Sequence, residues 1–217
     1  MVGQGVLREC LLDPEINQVL CIGRTKTETR SPKVRDLVVS NLPDLSAVAS
    51  ELNGIDACLF CLGVSAAGMS EESYRRTTYD LTLGVAATLL EHNPGLSFLY
   101  VSGAGTDSTE RGRAMWARVK GATENALLRL PFKGAYMFRP GLIQPRHGIV
   151  SKTRWYRVFY AVFGVFFPLF KALFPHSLLT TEELGRAMLE VAKRGAPQPI
   201  LEARDISAIQ PLVSRKA

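Results

Sequence analysis

The chain has 217 residues, 47% of them hydrophobic, and a formal net charge of +6. That length holds one domain with a sizeable core, and the charge suits an anionic ligand or surface. The sequence carries no polybasic run or nucleic-acid motif, which argues against DNA or RNA as a partner. Met1-Val-Gly-Gln-Gly5 also lacks the basic start and apolar core of a signal peptide, so a cytoplasmic location is expected.

Gly3 and Gly5 open directly into Val6 to Leu12, a helical pattern ended by Asp13-Pro14. Val19 to Ile22 is a short apolar strand that stops at Gly23-Arg24. Arg24 and Lys26 either hold a phosphate or solvate a loop that also carries Arg30, Lys33 and Arg35. Leu37 to Val39 reads as a third element of the strand type, followed by Asn41-Leu42, and Leu45 to Leu52 as a short helix. Asp56 to Leu62 is the next strand; Gly63 ends it, either as a plain turn or to let a ligand approach the backbone. Cys58 and Cys61 lie three apart on this strand and so face opposite sides, which prevents both from gripping one metal ion. With Cys10 and Cys21 they read as reduced thiols, which fits a reducing compartment. Ser70 caps a helix with Glu71 and Glu72 in its first turn, running to His92-Asn93-Pro94.

Phe98 to Val101 is a strand that ends at Ser102-Gly103. A polar loop from Thr106 to Arg113 follows, then a helix from Trp116 to Leu130 with Val119, Ala122, Ala126 and Leu127 on one stripe. Ala135 to Phe138 is a further strand, ending in Arg139-Pro140-Gly141. Strands alternating with helices predict a parallel α/β sheet, with a ligand crevice at the strands' carboxyl ends. Beyond Gln144 the chain turns aromatic. Trp155 to Pro175 is rich in phenylalanine and uncharged from Val158 to Phe170, about 20 Å of helix against a hydrocarbon core of about 30 Å. With its basic flanks, 152–175 reads as a pocket lid, a homodimer contact or a peripheral membrane-surface segment. Thr180 or Thr181 caps a helix from Glu182 to Arg194; Ile200-Leu201 adds a last short strand, and Gln210 to Ala217 a frayed tail. His92, His147 and His176 have no metal or triad spacing, so no metal site is expected.

A serine at a strand's carboxyl end and a lysine on the next helix resemble the short-chain dehydrogenase/reductase superfamily, in its atypical, epimerase-like branch. The resemblance runs from Met1 to about Glu202 and is strongest from Asp56 to Gly141. It implies a Rossmann-like doubly wound sheet in 1–142 with a small C-terminal substrate or cap segment of the same domain in 143–217. In that family a Ser follows this strand and a Tyr-x-x-x-Lys lies on this helix. Ser102 and Lys120 match, whereas Trp116 stands at the tyrosine position. The resemblance makes Ser102 a carbonyl-polarising catalytic residue and Lys120 a catalytic and ribose-binding one. Asn41 and Leu42 fall beside the adenine, and Gly63, Pro140 and Gly141 at the cofactor. Arg24 favours NADP over NAD by accommodating the 2′-phosphate. Gly3 takes the last glycine of the family's phosphate-binding turn, and the first two fall ahead of Met1; the alternative is an ordinary flexible terminus. The expectation is a sheet that lacks its first strand, in an amino-terminally shortened form of a longer chain. An indole N–H donates a hydrogen bond but does not titrate as a phenol does. Two functions follow: an NADP-dependent oxidoreductase or epimerase of a small carbonyl or hydroxyl substrate, or a non-catalytic NADP-binding or interaction protein.

Overall fold

Every strand pairing in the computed structural model, which describes residues 1–148 and 178–209, is parallel. The helix α1 (Val2–Leu12) leads into β1 (Val19–Gly23) and β2 (Val34–Val38), which pair with each other. A 3-10 turn (Ser46–Glu51) precedes β3 (Ala57–Phe60). Then come α2 (Glu71–Arg75), a π-helical stretch (Arg76–Asp80) and α3 (Leu81–His92), running as one helical rod. β4 (Ser97–Val101), α4 (Met115–Leu128), β5 (Gly134–Arg139) and β6 (Leu142–Gln144) follow. The described chain resumes at β7 (Leu178–Thr180), α5 (Thr181–Arg194), β8 (Ile200–Glu202) and α6 (Ala203–Ala208).

The main sheet has the order β3-β4-β5-β8, with β1-β2 and β6-β7 as separate pairs. The expected parallel α/β sheet with flanking helices is present. β1 and β3 make no ladder with each other, yet their side chains feed the same two cores. Leu20, Ile22, Cys58 and Phe60 pack on the α3 face, whereas Val19, Leu59 and Cys61 pack on the face covered by α1 and α5. Cys58 and Cys61 therefore do point to opposite faces, and all four cysteines are free thiols.

Local sequence explains the boundaries. The Ser70 hydroxyl accepts from the Ser73 amide at 3.3 Å and starts the long rod. Thr180 and Glu183 form a reciprocal capping box at α5, with bonds of 3.0 and 2.7 Å. In α5, Ala187, Met188 and Val191 are buried, on the face that meets α1. A side chain at Gly185 would meet the Glu9 side chain at 2.8 Å and the Gly5 carbonyl at 3.2 Å, so glycine is what lets these two helices touch. β6, β7 and α6 escape the sequence patterns because three-residue strands and a single helical turn are too short to show a period.

Residues 178–209 rejoin the core: β8 extends the main sheet and α5 backs it. The aromatic stretch Trp155–Pro175, the readings attached to 152–175 and the tail Gln210–Ala217 lie outside the described residues. Among the described residues no helix is long and apolar enough to cross a membrane.

Candidate functional site

A parallel sheet brings the ends of its strands to one edge, and three neighbouring strands deliver the chemistry-bearing segments there. Cys61 to Val64 leaves β3, Ser102 to Gly105 leaves β4, and Arg139 to Leu142 leaves β5. The last two run side by side: the Ser102 amide donates to the Phe138 carbonyl and the Ala104 amide to the Pro140 carbonyl, both at 2.8 Å. Gly103 and Gly105 adopt positive φ of 144° and 83°, which lets the loop turn flat against α4.

The amino-terminal turns of α4 lie over this loop. Trp116 and Lys120 are one turn apart and so share a face. The Trp116 ring lies across Gly105, close enough that an added Cβ there would stand 3.4 Å from it, and the indole remains 36% exposed. The Lys120 ammonium donates to the Ser102 carbonyl and lies beside Gly103. Burial lowers the Lys120 pKa, and the Glu124 carboxylate one turn along works against that.

Ser102 is buried, and its hydroxyl turns inward. It lies 2.5 Å from Glu124 Oε1 and 3.1 Å from the Phe138 carbonyl. Glu124, fully buried, also receives the Arg139 guanidinium, which reaches Glu202 at 3.0 Å and Ser108 Oγ at 2.5 Å as well. The Glu124 hydrogen bond raises the Arg139 pKa, against the opposing effect of burial. This network ties the ends of β4 and β5 to the middle of α4. Neither the Ser102–Glu124 contact nor the Glu124–Arg139 pair is visible in the sequence patterns, because charged side chains are ordinarily exposed. The four-residue spacing of Lys120 and Glu124 is the one signal that places both on one side of α4.

The polar loop is well ordered by its own side chains. The Asp107 carboxylate accepts from Thr109 Oγ1 at 2.6 Å and from the Gly112 amide at 2.6 Å, which together hold its pKa below the usual range. Arg118 donates to the Gly112 carbonyl at 2.7 Å and to Glu71 at 2.6 Å. Gly121 lets α4 reach the loop, since a Cβ there would overlap the Asp107 carbonyl. Replacing Gly121 by Ala forces helix and loop apart. The expected loss is about 1–3 kcal/mol of stability by chemical denaturation, and an unchanged midpoint would show that the contact is loose.

The remaining predicted site residues are spread more widely. Gly3 is exposed in the first turn of α1, which has no side-chain cap; its Cα side faces Cys61 at the end of β3. Gly63 is exposed with open space around it. Arg24 is exposed after β1, and Asn41 is exposed after β2, while the Leu42 side chain is buried in the core on the α3 face. Pro140 is buried and Gly141 half-buried. The sheet edge thus unites Gly63, Ser102, Lys120, Pro140 and Gly141. Of the other phenols, Tyr100 is buried, and desolvation with the neighbouring Tyr74 and Glu124 raises its pKa. Tyr79 lies under the Arg75 guanidinium, 4.0 Å from its ring centre. Among the described residues no group of His, Cys, Asp and Glu could hold a metal ion.

The sequence matches no protein-family model and no curated protein. Solved structures do resemble it. The Bordetella bronchiseptica enzyme WbmF, in complex with NAD+, aligns at a TM-score of 0.63 with 15% identity, over 95% of this chain and 73% of that one. The UDP-N-acetylglucosamine 4-epimerase of Bacillus cereus aligns at 0.64 with 16% identity, over 93% and 74%. The glucuronic acid dehydrogenase of Chromohalobacter salexigens aligns at 0.60 with 13% identity, over 93% and 71%. At these identities the likeness establishes the Rossmann-like fold.

Proposed function

We propose that the chain is a nicotinamide-dinucleotide-binding protein of the short-chain dehydrogenase/reductase type, acting as an oxidoreductase or epimerase on a small carbonyl or hydroxyl compound. The observation that carries this reading is the Lys120 ammonium at the carboxyl end of β4, beside Gly103 and one helical turn from Trp116. An ammonium has three N–H donors. One goes to the Ser102 carbonyl, which leaves two for ligand oxygens. The neighbours' own names, an epimerase, a dehydrogenase and an enzyme complexed with NAD+, support the same class of chemistry.

The residues present fit such a cofactor at several points. The uncapped first turn of α1 offers free amides beside the end of β3, as an anion such as pyrophosphate requires. Lys120 suits a ribose hydroxyl, and the Pro140-Gly141 loop the nicotinamide edge. When bound, the cofactor supplies or accepts the hydride. The chain's own part is to hold and orient the substrate oxygen. The Ser102 hydroxyl donates its hydrogen bond to Glu124, so carbonyl polarisation falls first to Lys120 and to the Trp116 indole N–H. Neither replaces a phenol as acid, so proton transfer passes through water or the substrate itself.

NADP rather than NAD is the proposed form. Arg24 and Lys26 are exposed after β1 and make no ion pair among the described residues, so both are free for a 2′-phosphate. Arg24→Asp should weaken NADP+ binding about tenfold or more in a fluorescence titration and leave NAD+ little changed. Equal affinity of the unaltered chain for the two nucleotides would refute the preference.

A second reading, a non-catalytic nucleotide-binding protein, is favoured by Trp116 at the acid's position and by the inward Ser102. Trp116→Tyr separates the two. The tyrosine would stand one turn from Lys120, whose charge lowers a phenol's pKa. On the enzyme reading, hydride transfer to a carbonyl substrate should rise by about 100-fold, the usual scale of general acid–base catalysis. No gain, with nucleotide binding intact, would favour the binding protein.

A further inference from the structure

Among the described residues six large hydrophobic side chains are exposed, and four of them lie at the same sheet edge as Lys120. Leu62 and Val64 leave β3, Trp116 covers Gly105 after β4, and Leu142 follows β5; all four are exposed, at 36–45%. Adjacent strands lie about 4.8 Å apart, so these three strand ends span about 10 Å, the width of a small ligand. Two of the cations near them are already paired. Arg139 is taken by Glu124 and Glu202, and Arg118 by Glu71 and two loop carbonyls. Among the described residues Lys120 has no carboxylate within ion-pair distance, and two of its N–H donors remain after the Ser102 carbonyl. A nucleotide sugar needs several donors for its diphosphate and its hydroxyls, and among the described residues the ends of β3, β4 and β5 set the Lys120 ammonium beside these apolar groups.

We infer that the substrate taken beside Lys120 is a hydrophobic carbonyl compound, an apolar body carrying one acceptor oxygen, and not a nucleotide sugar. The body rests on the Trp116 face between Val64 and Leu142, and the oxygen faces Lys120. The inference rests on the crevice proposed above as the substrate site, and it narrows that reading to a substrate class. Trp116 acts here as a flat platform, which explains an exposed indole where an acid would otherwise stand.

The test uses the full chain carrying Trp155→Phe, which leaves Trp116 as the only indole of the two in the sequence. Its emission is titrated with 4-phenyl-2-butanone and, separately, with UDP-glucose, each with and without NADP+. The expected result is saturable quenching by the ketone and none by UDP-glucose. Val64→Asp and Leu142→Asp should each weaken the ketone about tenfold, with an unchanged circular dichroism spectrum; the paired Val64→Ile and Leu142→Met variants should bind normally. Saturable UDP-glucose binding, no ketone binding in either condition, or full ketone affinity in both Asp variants overturns the inference. NADP+ binding is read independently by calorimetry. Ketone binding without NADP+ binding would sink the cofactor reading and leave this one standing, whereas the reverse would sink this one alone.

Discussion

Glu124→Ala should destabilise the chain by about 3–5 kcal/mol, the range for removing one partner of a buried ion pair. The carboxylate is fully buried, and its loss strands the Arg139 guanidinium, whose side chain is 10% exposed and keeps only Glu202 and Ser108. It also deprives the Ser102 hydroxyl of its charged acceptor. Domains of this size have about 5–15 kcal/mol in all, so the variant sits close to unfolding. Glu124→Gln keeps the shape and an acceptor for Ser102, so its cost should be smaller, with Glu202 left as the charged partner of Arg139. Ser102→Ala removes one hydrogen bond to a charged group, about 1.5–3 kcal/mol. The order Glu124→Ala, then Ser102→Ala, is read from urea midpoints. A Glu124→Ala midpoint equal to that of the unaltered chain would mean that the pair does not hold the ends of β4 and β5 together.

The same network marks where sequence reasoning stops. The parallel sheet was legible because each strand is an apolar run closed by a turn residue, and each long helix carries a stripe of buried positions. Val119, Ala122 and Leu127 on α4 are buried as their spacing requires, and the Cys58–Cys61 alternation holds. Lys120 could be placed at the end of β4 from a strand–loop–helix pattern. The direction of the Ser102 hydroxyl could not, because it depends on Glu124 and Arg139, residues 22 and 37 positions further on, meeting across two elements. The Leu42 side chain, apolar and next to a core strand, packs inward, a direction that the two-residue stretch Asn41-Leu42 does not reveal. The π-helical turn at Arg76–Asp80 likewise leaves no mark in the residue pattern.

An apolar five-residue strand and glycine-rich turn joined ahead of Met1 should enter between β1 and β3 and raise both melting temperature and nucleotide affinity. Among the described residues β1 pairs only with β2, and β3 only with β4, so each has one edge without a ladder. Their side chains alternate onto the same two cores, as neighbours in a single sheet would. The Rossmann order 3-2-1-4-5-6 places one strand between this pair. Every residue of β1 is only half-buried, whereas β4, laddered on both sides, is buried along four of its five residues. Strand edges present unpaired N–H and C=O groups, and an added strand satisfies two rows of them while covering the apolar side chains beside them. If that contributes about 3 kcal/mol, the melting temperature rises by about 6–12 °C for a domain of this size. The turn's amides would meet the first turn of α1, where a pyrophosphate is proposed to lie, so NADP+ should bind more tightly in parallel. A control segment of equal length, with prolines at alternate strand positions, cannot join a ladder and should leave both quantities unchanged. Equal effects from the two segments, or no gain from the apolar one, would show that β1 and β3 do not accept a strand between them.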